Sequence, residues 1–192
     1  MRRDAWNEQR IQGTLRNIRE AFHKLVLEKS YDDITISDLC QEASIARKTF
    51  YMYYLSLDSL LEETLESMVK EYVGRISQYK VPENITEITR EFYLYSEEQG
   101  TFYENLVCSK SYQEIGSKLL NKFVRETWKN EDWFKKLGDE YQNLLLCFIY
   151  NVGSGVYINW VKRGKKIDID EIIRLADLFL SNGVNGFYRS LN

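Results

Sequence analysis

The stretch TISDLCQEASIARKTFYMYY, residues 35 to 54, has the pattern of two short helices joined by a tight turn. Thr35 is followed three residues later by Asp38, a capping-box pattern in which each side chain accepts the other residue's backbone N–H. Apolar residues then recur at three- and four-residue spacing and predict one apolar helix face, formed by Ile36, Leu39, Cys40 and Ala43. The pattern therefore predicts a helix that begins at Thr35 and packs against the segment that follows.

The second helix of the pair has an apolar side and a polar side. Phe50 and Tyr54 stand one turn apart and predict the side that packs inward. At about 100° per residue, the other side carries Arg47, Lys48, Thr49, Tyr51 and Met52. Cations and hydroxyls near a helix N-terminus suit the major groove of DNA, because arginine and lysine can pair with guanine while hydroxyls reach phosphates or bases.

We therefore predict a DNA-binding surface on this hairpin. Its candidate residues are Thr35, Ser37, Arg47, Lys48, Thr49, Tyr51, Met52 and Tyr53. The alternative is that the polar side is only the solvated face of a helical hairpin, since such faces often carry lysine and arginine.

Residues 14 to 61 resemble the DNA-binding domain of the TetR family of transcriptional regulators. The most specific parts are ITISDL before the turn and the TFY of RKTFYMYY, followed by a helix from Ser56. Family members usually have Gly where this chain has Ser44, Ser or Thr where it has Ala46, and Lys where it has Leu57. Ala46 cannot cap the recognition helix with its side chain, and Leu57 cannot make the phosphate contact of that Lys.

The resemblance implies an all-α fold with two domains. A three-helix, helix-turn-helix DNA-binding domain would occupy residues 1–56, and a larger helical bundle for dimerisation and for ligand or partner binding would occupy residues 57–192. The apolar spacing predicts helices at about 57–78, 84–98, 102–107, 112–128, 141–163 and 170–188, with a loop or frayed turn over 129–138.

Composition favours a soluble and nearly all-helical chain. Of 192 residues, 44% are hydrophobic and 29% are charged, and Pro82 is the single proline. The net charge of −3 argues against nonspecific coating of nucleic acid but permits a local positive face. Cys40, Cys108 and Cys147 lack metal-site spacing, which predicts reduced thiols in a cytosol. The longest apolar run is far shorter than the ~20 residues of a membrane span, so we expect a cytoplasmic protein.

The sequence has few features of an enzyme. His23 is the sole histidine, and it stands beside the apolar stripe of the first helix. Ser154 lies between two glycines, but the segment interrupts a helix and follows no strand, so it is not a nucleophile elbow or a phosphate loop. We therefore expect no catalytic site, no metal and no cofactor.

The last two predicted helices contain small residues that suit a close helix–helix contact. Packing within the chain and packing between two subunits explain them equally well. The region from Tyr141 to Gly164 resembles, more loosely, a TetR subgroup that includes regulators of dihydroxyacetone kinase operons, and in the family the last two helices form the dimer bundle. The resemblance thus implies a homodimer contact through Gly153, Gly155, Ala176, Phe179, Gly183 and Gly186.

The resemblance also implies how such a regulator works. A homodimer would bind a near-palindromic operator in double-stranded DNA as a repressor, and a small-molecule effector would control its DNA affinity. Aromatic residues of the C-terminal domain are the candidates for the effector pocket: Phe92, Tyr103, Phe123, Trp128, Tyr150, Tyr157 and Trp160. The alternative is a co-regulator whose C-terminal domain binds a partner protein in place of a small molecule.

Overall fold

The computed structural model describes residues 2–190, with the side chains of residues 8–190. This range contains helices and no strand, which confirms the predicted all-α class. A single 3₁₀ turn, Tyr31–Asp33, lies between the first two helices. The α-helices are α1 (Arg2–Glu28), α2 (Ile36–Glu42), α3 (Arg47–Tyr51), α4 (Leu57–Ile76), α5 (Ile85–Glu98), α6 (Gly100–Val107), α7 (Lys110–Trp128), α8 (Asp132–Lys135), α9 (Asp139–Lys162) and α10 (Ile169–Arg189).

The predicted helix ends lie within two residues of the observed ends for most helices, because capping residues and apolar spacing are local signals. One segment differs from its prediction. Residues 129–138 contain the short helix α8, whose Phe134 is 1% exposed and meets the Trp128 ring edge-on at 5.8 Å between centroids. The burial of Phe134 explains why this segment is ordered as a helical turn.

The chain divides into two compact units, and the first consists of Met1–Glu63 and Thr101–Tyr112. Its core surrounds Phe22 of α1, which is 1% exposed and packs edge-on against Tyr31 and Phe102. The Asn105 side chain also donates a hydrogen bond to the Val26 carbonyl at 2.7 Å. The segment 101–112 therefore packs on α1 although it is distant in sequence.

The second unit consists of Thr64–Gly100 and Gln113–Asn192. Within it, α10 packs against α5 and α9. Tyr93 of α5 and Tyr157 of α9 are almost completely buried, with ring centroids 5.8 Å apart, and the Tyr93 hydroxyl donates to the Gly153 carbonyl at 3.2 Å. Burial raises the pKa of Tyr93 above its ordinary value, so its hydroxyl remains a donor.

By length and composition, α9 could cross a membrane. This differs from the prediction of no membrane span, which rests on the short length of the purely apolar runs. A single helix of this kind is weak evidence, because core helices of water-soluble proteins have the same composition. In the second unit Leu145, Leu146 and Tyr157 of α9 are buried, as in such a core helix.

Candidate nucleic-acid interface and effector region

The predicted capping box begins α2. The Thr35 backbone N–H donates to Oδ2 of Asp38 at 2.9 Å, and the Asp38 backbone N–H donates to the Thr35 hydroxyl at 3.2 Å. Lys29 donates to the same carboxylate at 2.7 Å. These hydrogen bonds, with that from Lys29 the largest, lower the pKa of Asp38 to about 2. The start of α2 is thus determined by side chains as well as by the apolar spacing.

The turn between α2 and α3 has a left-handed backbone at Ser44, where φ is +52°. A non-glycine residue in this conformation costs about 1–2 kcal/mol, because its Cβ crowds the following carbonyl. The strained residue is the one at which family members usually have glycine. Ala46 then occupies the N-cap of α3 and makes no side-chain hydrogen bond there, as its methyl group requires.

The two sides of α3 differ in burial as the spacing predicts. Phe50 is completely buried and Tyr54 is 5% exposed, so these rings pack into the first unit. Tyr51 is 48% exposed and Met52 is 69% exposed on the other side. The remaining candidates divide into an exposed group and a half-buried group: Thr35, Ser37, Arg47 and Lys48 are exposed, while Thr49 and Tyr53 are half-buried.

The exposed cations of α3 are available to a ligand. Arg47 donates a hydrogen bond to the Ser37 hydroxyl at 3.4 Å, which brings α2 and α3 candidates together on one surface. Among the residues that the structure describes, neither Arg47 nor Lys48 has an acidic partner within ion-pair distance. A phosphate could therefore approach them without breaking an existing ion pair.

The first turns of α4 carry contacts that no sequence pattern indicates. Glu63 accepts hydrogen bonds from Arg19 of α1 at 2.8 Å and from the Tyr54 hydroxyl at 3.0 Å. Burial, followed by the charge of Glu63, raises the pKa of Tyr54 to about 12. Ser56, from which the sequence predicts the helix to begin, caps α4 by accepting the Ser59 backbone N–H at 3.2 Å. Helical spacing does not indicate the Arg19 and Tyr54 contacts, because Glu63 lies 44 residues from Arg19 and 9 residues from Tyr54, beyond one helical turn in both cases.

The seven aromatic candidates for an effector pocket do not lie around one cavity. Tyr103 belongs to the first unit, where its hydroxyl is 2.6 Å from that of Tyr112, whereas the other six belong to the second unit.

Four of these six side chains have surroundings that already occupy them. Trp128 lies in the apolar core. Phe123 is half-buried beneath two lysine ammonium groups. The Tyr157 hydroxyl donates to Glu97 at 2.8 Å and the Trp160 ring N–H donates to the Ile167 carbonyl at 2.9 Å.

Two spaces border the remaining candidates, Phe92 and Tyr150. The first is an apolar cavity of about 40 Å³ that both residues line. The second is a polar groove of about 660 Å³ between α7 and α9, which Tyr150 lines. Small-molecule sites typically have volumes of ~300–1,000 Å³, so only the groove has the size of an effector site. Within the described residues, no cluster of three His, Cys, Asp or Glu side chains is arranged to hold a metal ion.

The dimer candidates divide into residues used within the chain and residues that remain exposed. Ala176 is completely buried, and a Cβ at Gly153 would contact Leu180 at 3.9 Å. A Cβ at Gly183 would overlap the ring of Phe148, whose Cε1 lies 2.7 Å from that position, so packing within the chain accounts for this glycine. Gly155, Phe179 and Gly186 are exposed, and the two glycines have open space beside them.

The comparisons with known proteins agree on a family. The model of the transcriptional regulator C-terminal region of the TetR type matches residues 83–182, more than half of the chain. The HTH-type dhaKLM operon transcriptional activator DhaS of Lactococcus lactis is 28% identical over 125 residues, which cover 62% of this chain and 65% of DhaS. The match thus spans slightly less than two thirds of that relative.

Solved structures share the fold at low sequence identity. The fatty acid degradation regulator FadR from Bacillus halodurans has a TM-score of 0.59 and 18% identity, over 88% of this chain and 98% of that chain. A tetR-family transcriptional regulator from Streptomyces coelicolor has a TM-score of 0.53 and 15% identity, over 85% and 79%. With the C-terminal family match and the all-α fold, these similarities show that the chain belongs to the TetR family of transcriptional regulators.

Proposed function

We propose that this chain is a cytoplasmic repressor that binds a near-palindromic operator as a homodimer, with its DNA affinity controlled by a small-molecule effector. The observation that carries the DNA-binding part is the orientation of α3. Phe50 is completely buried, while Arg47 and Lys48 are exposed beside Tyr51 and without acidic partners among the described residues. This orientation leaves the cations and the phenol free to contact DNA.

The homodimer part is supported by apolar residues exposed on the last two long helices. On α9, Tyr141 and Leu144 are 58% and 67% exposed, and on α10, Leu178 and Phe179 are 49% and 55% exposed. Exposed large apolar side chains such as these are candidates for an interaction site. A dimer through these helices would present two α3 helices to successive major grooves, ~34–36 Å apart or somewhat more, which requires a near-palindromic site.

The first test selects bound duplexes from a random DNA pool with the purified chain. We expect enrichment of a near-palindromic sequence. Arg47→Ala and Lys48→Ala should each weaken operator binding, by about 1–3 kcal/mol for a contact to a base edge. A residue that touches only phosphate should instead reduce the salt dependence of binding, with a slope change of about 1.

The matched control is Lys166→Ala, which removes an exposed lysine from the loop before α10. It should leave operator affinity unchanged. Unchanged affinity in the Arg47→Ala, Lys48→Ala double variant would contradict the proposed DNA-binding surface.

Sedimentation of the protein without DNA tests the homodimer. Leu144→Glu and Phe179→Glu should each produce monomers. A wild-type chain that remains monomeric at high concentration would contradict the homodimer.

A second candidate function is a co-regulator, including an activator, whose second unit binds a partner protein. Two observations favour it. The relative DhaS is named as a transcriptional activator, and the apolar cavity of this chain has a volume of only about 40 Å³. Capture of a defined protein partner, with no melting shift from small molecules, would favour this function over effector control. Transcription from the selected operator in vitro would decide whether the chain represses or activates.

A further inference from the structure

The groove between α7 and α9 is formed by two antiparallel helices of the second unit. The Tyr150 hydroxyl of α9 donates to the Gln113 carbonyl of α7 at 3.3 Å, while Arg125 near the other end of α7 donates to Oδ1 of Asn143 at 2.7 Å. The groove between these contacts has a volume of about 660 Å³. A small molecule of several to a few tens of heavy atoms fits this volume, whereas the 40 Å³ cavity nearby holds about one water.

The polar lining of the groove is mostly uncharged. Amides and hydroxyls from both helices line it: Gln113, Ser117 and Asn121 on α7, and Asn151, Ser154 and Asn159 on α9. The three α7 residues are spaced by four, so they stand on one face of the helix. Amide and hydroxyl groups together both donate and accept hydrogen bonds, as the hydroxyls of a ligand also do. One acid and one base, Glu114 and Lys162, complete the polar lining and nearly cancel in charge.

Ser154 gives the groove an unused polar group. The residue is 5% exposed, it lines the groove, and its hydroxyl has no hydrogen-bond partner among the described residues. A helical serine normally bonds the carbonyl four residues earlier, as Ser96 and Ser181 do in this chain, each at 2.7 Å. The Ser154 oxygen is not enclosed, because it remains accessible from the groove, so a ligand hydroxyl can reach it and pair with it in place of solvent.

Gly155 keeps the groove open beside Ser154. A Cβ at this position would meet no atom within 4 Å, and Gly155 itself is exposed. The backbone of α9 can therefore be approached closely by a ligand at the point where the unpaired hydroxyl stands.

We propose that this groove binds a small uncharged molecule with several hydroxyl groups, a polyol or a sugar, and that this molecule is the effector. The inference rests on the proposed regulatory function and specifies the chemistry of its ligand. Binding would pair the Ser154 hydroxyl and the groove amides with ligand hydroxyls. An effector of this type shifts DNA binding only if the DNA-bound and free conformations hold it with different affinity.

The test is calorimetric titration of the full chain with glycerol, D-ribose, D-glucose and sucrose in the millimolar range. We expect saturable binding of at least one of them. Ser154→Ala and Asn121→Leu should each weaken that binding about tenfold, which corresponds to the loss of one net hydrogen bond of about 1.4 kcal/mol. Ser181→Ala is the matched control, because it removes a helical serine hydroxyl outside the groove, and it should leave binding unchanged.

The comparison between variants separates the site from the general stabilising effect of polyols, which acts on all variants alike. No saturable binding of any of the four compounds would overturn the proposal, and so would equal affinity in Ser154→Ala and wild type. A partner protein whose capture is lost in Asn121→Leu, without sugar binding, would overturn it by assigning the groove to that protein. Operator binding should persist in both groove variants, whereas failure of the wild-type chain to select any DNA would refute the proposed function itself.

Discussion

The Tyr31 hydroxyl donates a hydrogen bond to Oδ1 of Asp58 at 2.6 Å and thereby joins the 3₁₀ turn before α2 to the first turn of α4. Burial, and then the carboxylate of Asp58, raise the pKa of Tyr31 well above its ordinary value, so the hydroxyl stays protonated and remains a donor. Together with Glu63, which binds Arg19 and Tyr54, this contact holds the start of α4 to the helices that would contact DNA.

Tyr31→Phe should lower the free energy of unfolding by about 1.5 kcal/mol. The change removes the hydrogen bond to a charged acceptor but keeps the ring in the core, and the exposure of Asp58 places the loss at the low end for such bonds. Thermal unfolding at fixed protein concentration measures it. Tyr141→Phe is the control, because that ring is 58% exposed, and it should have no effect. An equal effect of both substitutions would contradict the structural role of the Tyr31 contact.

Ser44→Gly should raise the free energy of unfolding by about 0.5–1 kcal/mol. Glycine removes a left-handed strain of about 1–2 kcal/mol, while its greater freedom in the unfolded chain returns about 0.4–1 kcal/mol. Ser44→Ala keeps the strained Cβ and should change stability little, which makes it the matched control. The prediction fails if the glycine variant melts no higher than the alanine variant.

The capping carboxylate of Asp38 should make stability depend on pH in the acid range. Its pKa is about 2 in the folded chain and about 4 when unfolded, so the unfolded state binds the proton more readily. The stabilising contribution is therefore fully present above pH of about 4 and is lost as the pH falls through about 2. Melting curves of wild type and Asp38→Asn should differ most near neutral pH and converge in acid. A difference in melting temperature that stays constant across this pH range would contradict the lowered pKa of Asp38 in the folded chain.

Alanine should have different effects at two glycines of the last two long helices. Gly155→Ala adds a methyl group into open space and should raise the free energy of unfolding by about 1 kcal/mol through helix propensity. Gly183→Ala should gain clearly less, because the ring of Phe148 must move to admit the new methyl group. Thermal unfolding of both variants at one protein concentration measures the two changes in stability. Equal gains would contradict the prediction, because they would mean that the Phe148 ring moves without a loss of packing energy.

The parts of the fold that were predictable are those that depend on neighbours in sequence. The reciprocal bonds of Thr35 and Asp38, the Ser56 cap, and the burial of Phe50 opposite an exposed Tyr51 all follow from spacings of three or four residues. The spacing of apolar residues could not show that the segment 101–112 packs on α1. This packing places Tyr103 in the first unit, whereas the other aromatic candidates belong to the second.

The sequence by itself thus determined the helices, their capped starts and the polar side of α3, because each depends on side chains within one or two turns of the same backbone. Only the tertiary structure decided that Phe148 packs where Gly183 lacks a side chain, and that the amides of α7 face those of α9 across a groove. Both arrangements bring together residues that are tens of positions apart. Their contacts depend on how whole helices pack, and packing is set by the combined shape of many side chains.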